Sequence, residues 1–507
     1  MDLAPRVMTM FVALQGLLAC ETGVPDAPVT APADPNERNG VPEPAARSLV
    51  EPAVERPIPA SSVVARLRTP IGYRVARPAL VVHVQPHRRR GRRGRIEGRQ
   101  PFAIYALRAG PDCEGEGWAE VDQGGFVCLE HAVASEGPAT IQPRLLAGQD
   151  VPFIYARPKL LDRRSEAIAE VPRYRDRLAH ARGKPPIDTL GPDRQYTFVE
   201  TKLRKGGMIL IDADDRAVPA RDMKIARPSR FSGRDLASAP IPAGLHAAWA
   251  VSHPAVLRDG ARDDAKPVQY IRYHSALHVD PAPIEVGDGV DAVTWYAVPD
   301  GGGPGVVAYV TAADVNHWIP GPALDVRADE FWLDVELGQQ TLAVMQGDAA
   351  IFVTLVSSGA GGFATPTGLF RIYEKLAVST MKSSPSSEDP YFVEGVPWIQ
   401  YFHRRYAFHA SYWHDDFGKR RSHGCVNLAP KDAAYVFGLT HPVVPPGWNA
   451  LYEHAGAAGT LVRVRRGTDP VPDLRLPLGV IESDDEKTDG ANESAADPTP
   501  EAAAAGP

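Results

Sequence analysis

Ser422-His423-Gly424-Cys425-Val426-Asn427 sets one cysteine beside a histidine and a glycine, just downstream of Phe408-His409-Ala410-Ser411-Tyr412-Trp413-His414. A thiol attacks as its thiolate, and an imidazole that accepts the proton is the usual way to reach that state near neutral pH. Gly424 permits a tight turn into Cys425, and such a turn can aim the Gly424 and Cys425 N–H groups at a developing oxyanion. The chemistry that fits is acyl transfer through a cysteine. His403, His409, His414 and His423 are close enough in sequence to compete for the role of base. His423 either shapes the site next to the nucleophile or is a hydrogen-bonded structural residue. Ser422 and Asn427 read first as turn residues and supports behind the chemistry. Trp413, Tyr401 and Asn427 are the candidates for contact with substrate; Trp398 and the other aromatics read equally well as core.

The elements that must position these residues begin near residue 328. Phe331, Leu333, Val335 and Leu337 alternate with Trp332, Asp334 and Glu336, the period of a half-buried strand. Gly347-Asp348 then turns the chain into the apolar run Ala350–Val356, which predicts a hairpin. Pro430 to Leu439 predicts a helix with Ala433, Ala434, Val436 and Phe437 available for a buried face.

Four segments together resemble the L,D-transpeptidase family with a YkuD-type catalytic domain. They are the opening hairpin Trp332–Leu337 with Gln339–Leu342, the turn Thr365-Pro366-Thr367-Gly368-Leu369-Phe370, the run from His409 to Ser422-His423-Gly424-Cys425-Val426-Asn427, and the closing strand Gly459-Thr460-Leu461-Val462-Arg463-Val464. The likeness covers roughly residues 328 to 466. It implies a β-sandwich catalytic domain that cross-links peptidoglycan stem peptides. By the same resemblance Cys425 is the nucleophile, His409 the proton acceptor and donor, and the carbonyl of Ala410 the group that orients the His409 ring. No metal or other cofactor is implied.

The rest of the chain predicts an exported, mainly β protein. Arg6 precedes the apolar run Val7–Ala19, and Leu17-Leu18-Ala19-Cys20 has the pattern of a bacterial lipoprotein signal, too short to span a bilayer permanently. Cleavage before Cys20 would leave a lipid-anchored chain in the cell envelope or periplasm. An ordinary secretory signal cut elsewhere is the alternative. Residues 21–60 are Pro- and Ala-rich and read as a tether. Residues 61–150 hold short apolar runs divided by Gly and Pro, the pattern of a small β-barrel, weakly similar to Src-homology-3-like modules. Cys113 and Cys128 fall inside it, and an oxidising compartment favours a disulfide between them, two buried free thiols being the alternative. Residues 151–327 predict further mixed or β structure, with Arg173–Arg182 as a helical stretch, and residues 467–507 a disordered acidic tail.

With 507 residues the chain has room for two to four domains. The net charge of -7 gives no general pull toward nucleic acid. Six arginines crowd into Arg88–Arg95, either as a solvated hairpin tip or as a site for anionic polymers or headgroups. The leading function is stem-peptide cross-linking. A hydrolase using the same thioester (an L,D-carboxypeptidase or amidase) and a non-catalytic wall-binding lipoprotein are the alternatives.

Overall fold

The computed structural model describes residues 68–475, except 139–142, 144, 146–147, 160–169, 193, 205–206, 384–390 and 454–457. Cys20, the signal, the tether and residues 476–507 lie outside the described residues.

Five N-terminal strands are β1 (Leu80–His83), β2 (Arg92–Ile96), β3 (Ala106–Arg108), β4 (Trp118–Glu120) and β5 (Phe126–Cys128), and strands Gly72–Ala76, Pro101–Ile104 and Ala132–Ser135 form a separate three-stranded sheet. The arginine-rich run spans the turn of the β1–β2 hairpin and most of β2. Within it Arg88 donates to the carbonyl of Asp112 and pairs with Glu130, and Arg93 donates to the carbonyls of Gln123 and Tyr452. Cys113 and Cys128 are joined as a disulfide, and Cys425 is a free thiol.

The middle of the chain is mostly short antiparallel pairs. The helical stretch read at Arg173–Arg182 shrinks to α1 (Arg177–Ala181), capped by Asp176, whose carboxylate accepts from the N–H groups of Leu178 and Ala179. Arg173 itself ends a strand, Val171–Arg173.

The C-terminal part contains β6 (Phe331–Glu336), β7 (Thr341–Gln346), β8 (Ala349–Leu355), β9 (Gly368–Arg371), β10 (Glu374–Lys382), β11 (Phe392–His403), β12 (Tyr406–Ala410), β13 (Val426–Leu428), α2 (Pro430–Leu439), β14 (Trp448–Tyr452) and β15 (Leu461–Arg465). One sheet runs β8-β7-β6-β15-β9, with the short strand Arg234–Asp235 added beside β8. The second runs β13-β12-β11-β10-β14-β2-β1-β5-β4-β3. Leu333, Val335, Phe370, Phe402, Phe408, Val426, Val462 and helix residues Ala433 and Val436 share one core. Burying that many apolar side chains is the main force holding sheets and helix together.

Three sequence expectations change here. First, the N-terminal strands do not stand apart as a separate barrel: β2 pairs with β14, so their sheet is continuous with that of β10–β13. Trp448 and Leu451 of β14 pack with Val82, Ile96 and Phe102. Second, β6 is buried on both faces. Residues 231–251 and Phe417 cover Trp332. Asp334, 2% exposed, accepts from Arg463 Nε at 2.7 Å and Arg465 Nη2 at 2.8 Å. The polar half of the alternation faces an internal ion cluster rather than water. Third, order continues past residue 466: Leu369 donates to the Pro472 carbonyl at 2.8 Å and Leu474 donates to Leu369 at 2.9 Å.

The helix expectation agrees with α2. Pro at its first turn suits a start where no N–H partner is needed. Asp432 in that turn accepts from the Gly233 N–H and the Ser232 hydroxyl, tying the middle of the chain to the helix. At the other end Lys375 Nζ donates to the carbonyls of Phe437 at 2.7 Å and Thr440 at 2.8 Å. Burial pushes its ammonium well below the ordinary lysine range. Its placement on helix carbonyls makes it a structural clamp.

Candidate active site

Sheet register brings the cysteine to the histidine. In β12 and β13, Phe408 lies beside Val426 and His409 beside Asn427, in parallel. One step back sets Ala407 beside Cys425. Side chains alternate between faces, so Ala407, His409, Cys425 and Asn427 share one face and Phe408 and Val426 the other. The packing agrees: Phe408 and Val426 lie in the main core, whereas Ala407 and Cys425 pack with Ile399, Tyr401, Tyr412 and Trp413. Cys425, at the entry to β13, and His409 on β12 are therefore two residues out of step, about 8 Å apart at the backbone. Cys425 Sγ lies 3.7 Å from the carbonyl oxygen of Arg405.

The turn that delivers Cys425 is stapled on itself. Ser422 Oγ donates to the Cys425 carbonyl, and the Gly424 N–H donates to Ser422 Oγ at 3.1 Å. Thr365 Oγ1 donates to the Gly424 carbonyl at 2.7 Å and accepts from the Gly359 N–H at 3.0 Å. Gly424 has φ +114, and a Cβ there would sit 2.5 Å from the Tyr406 ring. Only glycine fits. The expectation that Gly424 offers its N–H to an oxyanion is amended, because Ser422 Oγ holds that N–H here.

His409 is 3% exposed, with Nδ1 3.1 Å from the carbonyl oxygen of Ala410. Its ring stacks on Trp413 at 5.8 Å and 27°. Burial lowers its pKa to about 4, only partly opposed by the Ala410 hydrogen bond. The half-buried Cys425 thiol is pushed up to about 11 by burial, against the opposing effects of the Ala407 backbone hydrogen bond and the Arg405 charge. Both groups therefore rest neutral, as thiol and imidazole.

The other histidines separate by environment. His423 is exposed and lies between the rings of Phe363 at 4.6 Å and Tyr391 at 5.1 Å. His403 packs on Phe370 at 4.9 Å. His414 accepts from the Asp416 N–H through Nδ1 and meets the Asn427 carboxamide through Nε2 at 2.9 Å. Asn427 is 3% exposed, so the expectation that it touches substrate is corrected: it braces His414 from inside. Trp398 is core.

Tyr401 shares the face of Cys425. Sequence reasoning missed its neighbours. Tyr373, Tyr391 and Tyr401 all have phenols raised chiefly by burial, with Cys425 a further cause in each and Glu374 ahead of it for Tyr373, which groups three tyrosines around the thiol. Tyr155, from the uninformative middle of the chain, stacks on Tyr412 at 3.4 Å and donates to the Gly395 carbonyl. Nothing in the spacing of these tyrosines announced a shared face; the strand register does.

Residues 330–464 match the YkuD family, the L,D-transpeptidase catalytic domain. A curated relative, "Putative L,D-transpeptidase YciB" of Bacillus subtilis strain 168, is 25% identical over 132 residues, which cover 22% of this chain and 62% of the relative. The chain thus spans less than two thirds of that relative's length. Among solved structures, an L,D-transpeptidase (Yku) from Stackebrandtia nassauensis is 25% identical, covering 29% of this chain and 59% of that one at a TM-score of 0.21. The catalytic domain of the Enterococcus faecium L,D-transpeptidase is 23% identical, covering 28% of this chain and all (100%) of that one at a TM-score of 0.22. The matched L,D-transpeptidase segment runs from the start of β6 into β15 and includes His409, Gly424 and Cys425.

Proposed function

We propose that this chain is an exported peptidoglycan L,D-transpeptidase that works through a Cys425 thioester. The observation that carries the reading is that Cys425, at the entry to β13, shares a face with His409 of the neighbouring strand β12, within the segment matched to the catalytic domain.

In the first half-reaction His409 Nε2 takes the thiol proton as Cys425 Sγ attacks the donor carbonyl. The C–N bond to the terminal D-residue breaks, and the leaving amine takes the proton from Nε2. In the second, an acceptor amine attacks the thioester, its proton passes to His409, the C–S bond breaks and Sγ regains a proton. A buried neutral imidazole suits both transfers, because it accepts a proton only as the partner gives one up. The Ala410 carbonyl fixes the ring through Nδ1–H and steadies the imidazolium.

The lipoprotein pattern ending at Cys20 supports anchoring of the mature chain to a membrane of the envelope, with stem peptides as the partner of the site. Palmitate labelling that Cys20→Ala abolishes is the expected result, and an unlipidated mature N-terminus beyond Cys20 would rule the anchor out.

Product mass from purified disaccharide-tetrapeptide tests the reaction. Cross-linked dimers are expected from the wild type and none from Cys425→Ala. Tripeptide without dimer would make the protein a hydrolase of the same thioester, and unchanged substrate a binding protein.

A further inference from the structure

One carboxyl group lies on the reactive face without a partner among the described residues. Glu374 opens β10, where it is paired with Tyr401 of β11 on one side and Tyr452 of β14 on the other. Tyr401 is in turn paired with Ala407 of β12, and Ala407 lies beside Cys425. Laterally paired residues point to the same side of a sheet. Tyr452, Glu374, Tyr401, Ala407 and Cys425 therefore form one row across four strands and the turn entering the fifth. Leu376, two residues on from Glu374, packs with Ile399, Tyr401 and Cys425, which fixes the row on the nucleophile's face. Lys375 points the other way, into α2.

The Glu374 carboxyl makes no hydrogen bond or ion pair with any described residue. Its charge reaches Tyr373, Tyr401 and Tyr452, which places these phenols around it. Burial raises it to about 7, and a cation beside it would favour its ionised form. Beyond Tyr452 the exposed Arg92 and Arg95 reverse the sign of the surface. The three strand spacings from Cys425 to Glu374 amount to about 14 Å at the backbone, too far for Glu374 to handle the proton on the thiol.

We propose that Glu374 is a specificity residue that receives a primary ammonium of the peptide substrate, several bonds from the carbonyl that Cys425 attacks. The inference rests on the transpeptidase reading for the identity of the peptide. A charge-assisted hydrogen bond made among these partly buried rings is stronger than one at the open surface. Tyr401 and Ala407 bridge the two ends, so the row sets which residue of an extended peptide lies over the thiol when the ammonium is seated.

The test is calorimetric binding to the full chain carrying Cys425→Ala. The probes are a synthetic stem tetrapeptide with a free side-chain amine and the same peptide with that amine acetylated. The free amine should bind about tenfold tighter or more. Adding Glu374→Gln should erase the preference while leaving the acetylated peptide within about twofold of its original affinity. Equal binding of the two peptides before any change at Glu374, or no measurable binding of either, overturns the proposal without reference to the variant. A Glu374→Gln protein that keeps the preference, or that weakens both peptides alike, also overturns it. Wild-type turnover of the free-amine peptide is scored separately: its failure ends the transpeptidase reading, whereas the binding difference alone decides Glu374.

Discussion

His409 holds Nδ1 3.1 Å from the carbonyl oxygen of Ala410, and this contact selects the tautomer that leaves the lone pair on Nε2. The ring is thus poised to accept a proton at one nitrogen only. Removing it should slow acylation of Cys425 by a β-lactam by about 10² or more. His403→Ala should slow it far less, since that ring packs on Phe370. His414→Ala should act differently again, lowering the melting temperature because it strips the buried Asn427 of its brace. Acylation rates with melting curves on the three variants separate these roles.

Neutral resting forms at Cys425 and His409 set the pH behaviour. The His409 pKa is depressed, from 6.5 to about 4, so its contribution to stability is present above 6.5 and is lost as pH falls toward 4. The Cys425 pKa is raised, from 9.0 to about 11, so its contribution is present below 9.0 and is lost as pH rises toward 11. Alkylation of Cys425 by iodoacetamide should therefore keep rising with pH through the alkaline range, with no plateau near neutrality. A plateau reached by pH 7 would mean a preformed thiolate–imidazolium pair.

What was legible in the sequence was local. Gly424 next to Cys425 announced a strained turn, and Pro430 with its apolar spacing announced α2, because both signals sit within a few residues of what they control. The faces were not legible. Whether the Asp334 side of β6 meets water depends on Arg463 and Arg465, more than a hundred residues away, and on the cover from residues 231–251. Asn427 illustrates the same limit at the site: its position in the motif left support and substrate contact both open, and its buried carboxamide meeting His414 decides for support. Glu374 carried no sequence signal, because its meaning comes only from lateral pairing with Tyr401 and Tyr452.

Gly424→Ala should disable the site while sparing most of the fold. The substitution adds a Cβ 2.5 Å from Tyr406 at a residue with φ +114. Strain of this kind costs about 1–3 kcal/mol and displaces the turn that carries Cys425. Acylation should fall by at least about 10² with the far-ultraviolet spectrum retained. Wild-type acylation in this variant would show that the turn need not hold this geometry.

The continuity of β14 with β2 changes what should happen when the N-terminal strands are loosened. A fragment beginning at residue 328 would lose β2 as the partner of β14, uncover Trp448 and Leu451, and strip the cover from Trp332. An unpaired edge beside exposed aromatic side chains favours association. The fragment should run as aggregates on gel filtration and acylate poorly, whereas a chain beginning at residue 68 should be monodisperse and active. The Cys113–Cys128 bridge closes a separation of 15 residues, for which chain-entropy arguments give about 3 kcal/mol. Because the sheet is shared, the double Cys113→Ser, Cys128→Ser variant should unfold in one cooperative transition at lower temperature, and its acylation should fail within that same transition. Two resolved transitions, with acylation surviving the first, would show that the N-terminal strands fold and melt as an independent module.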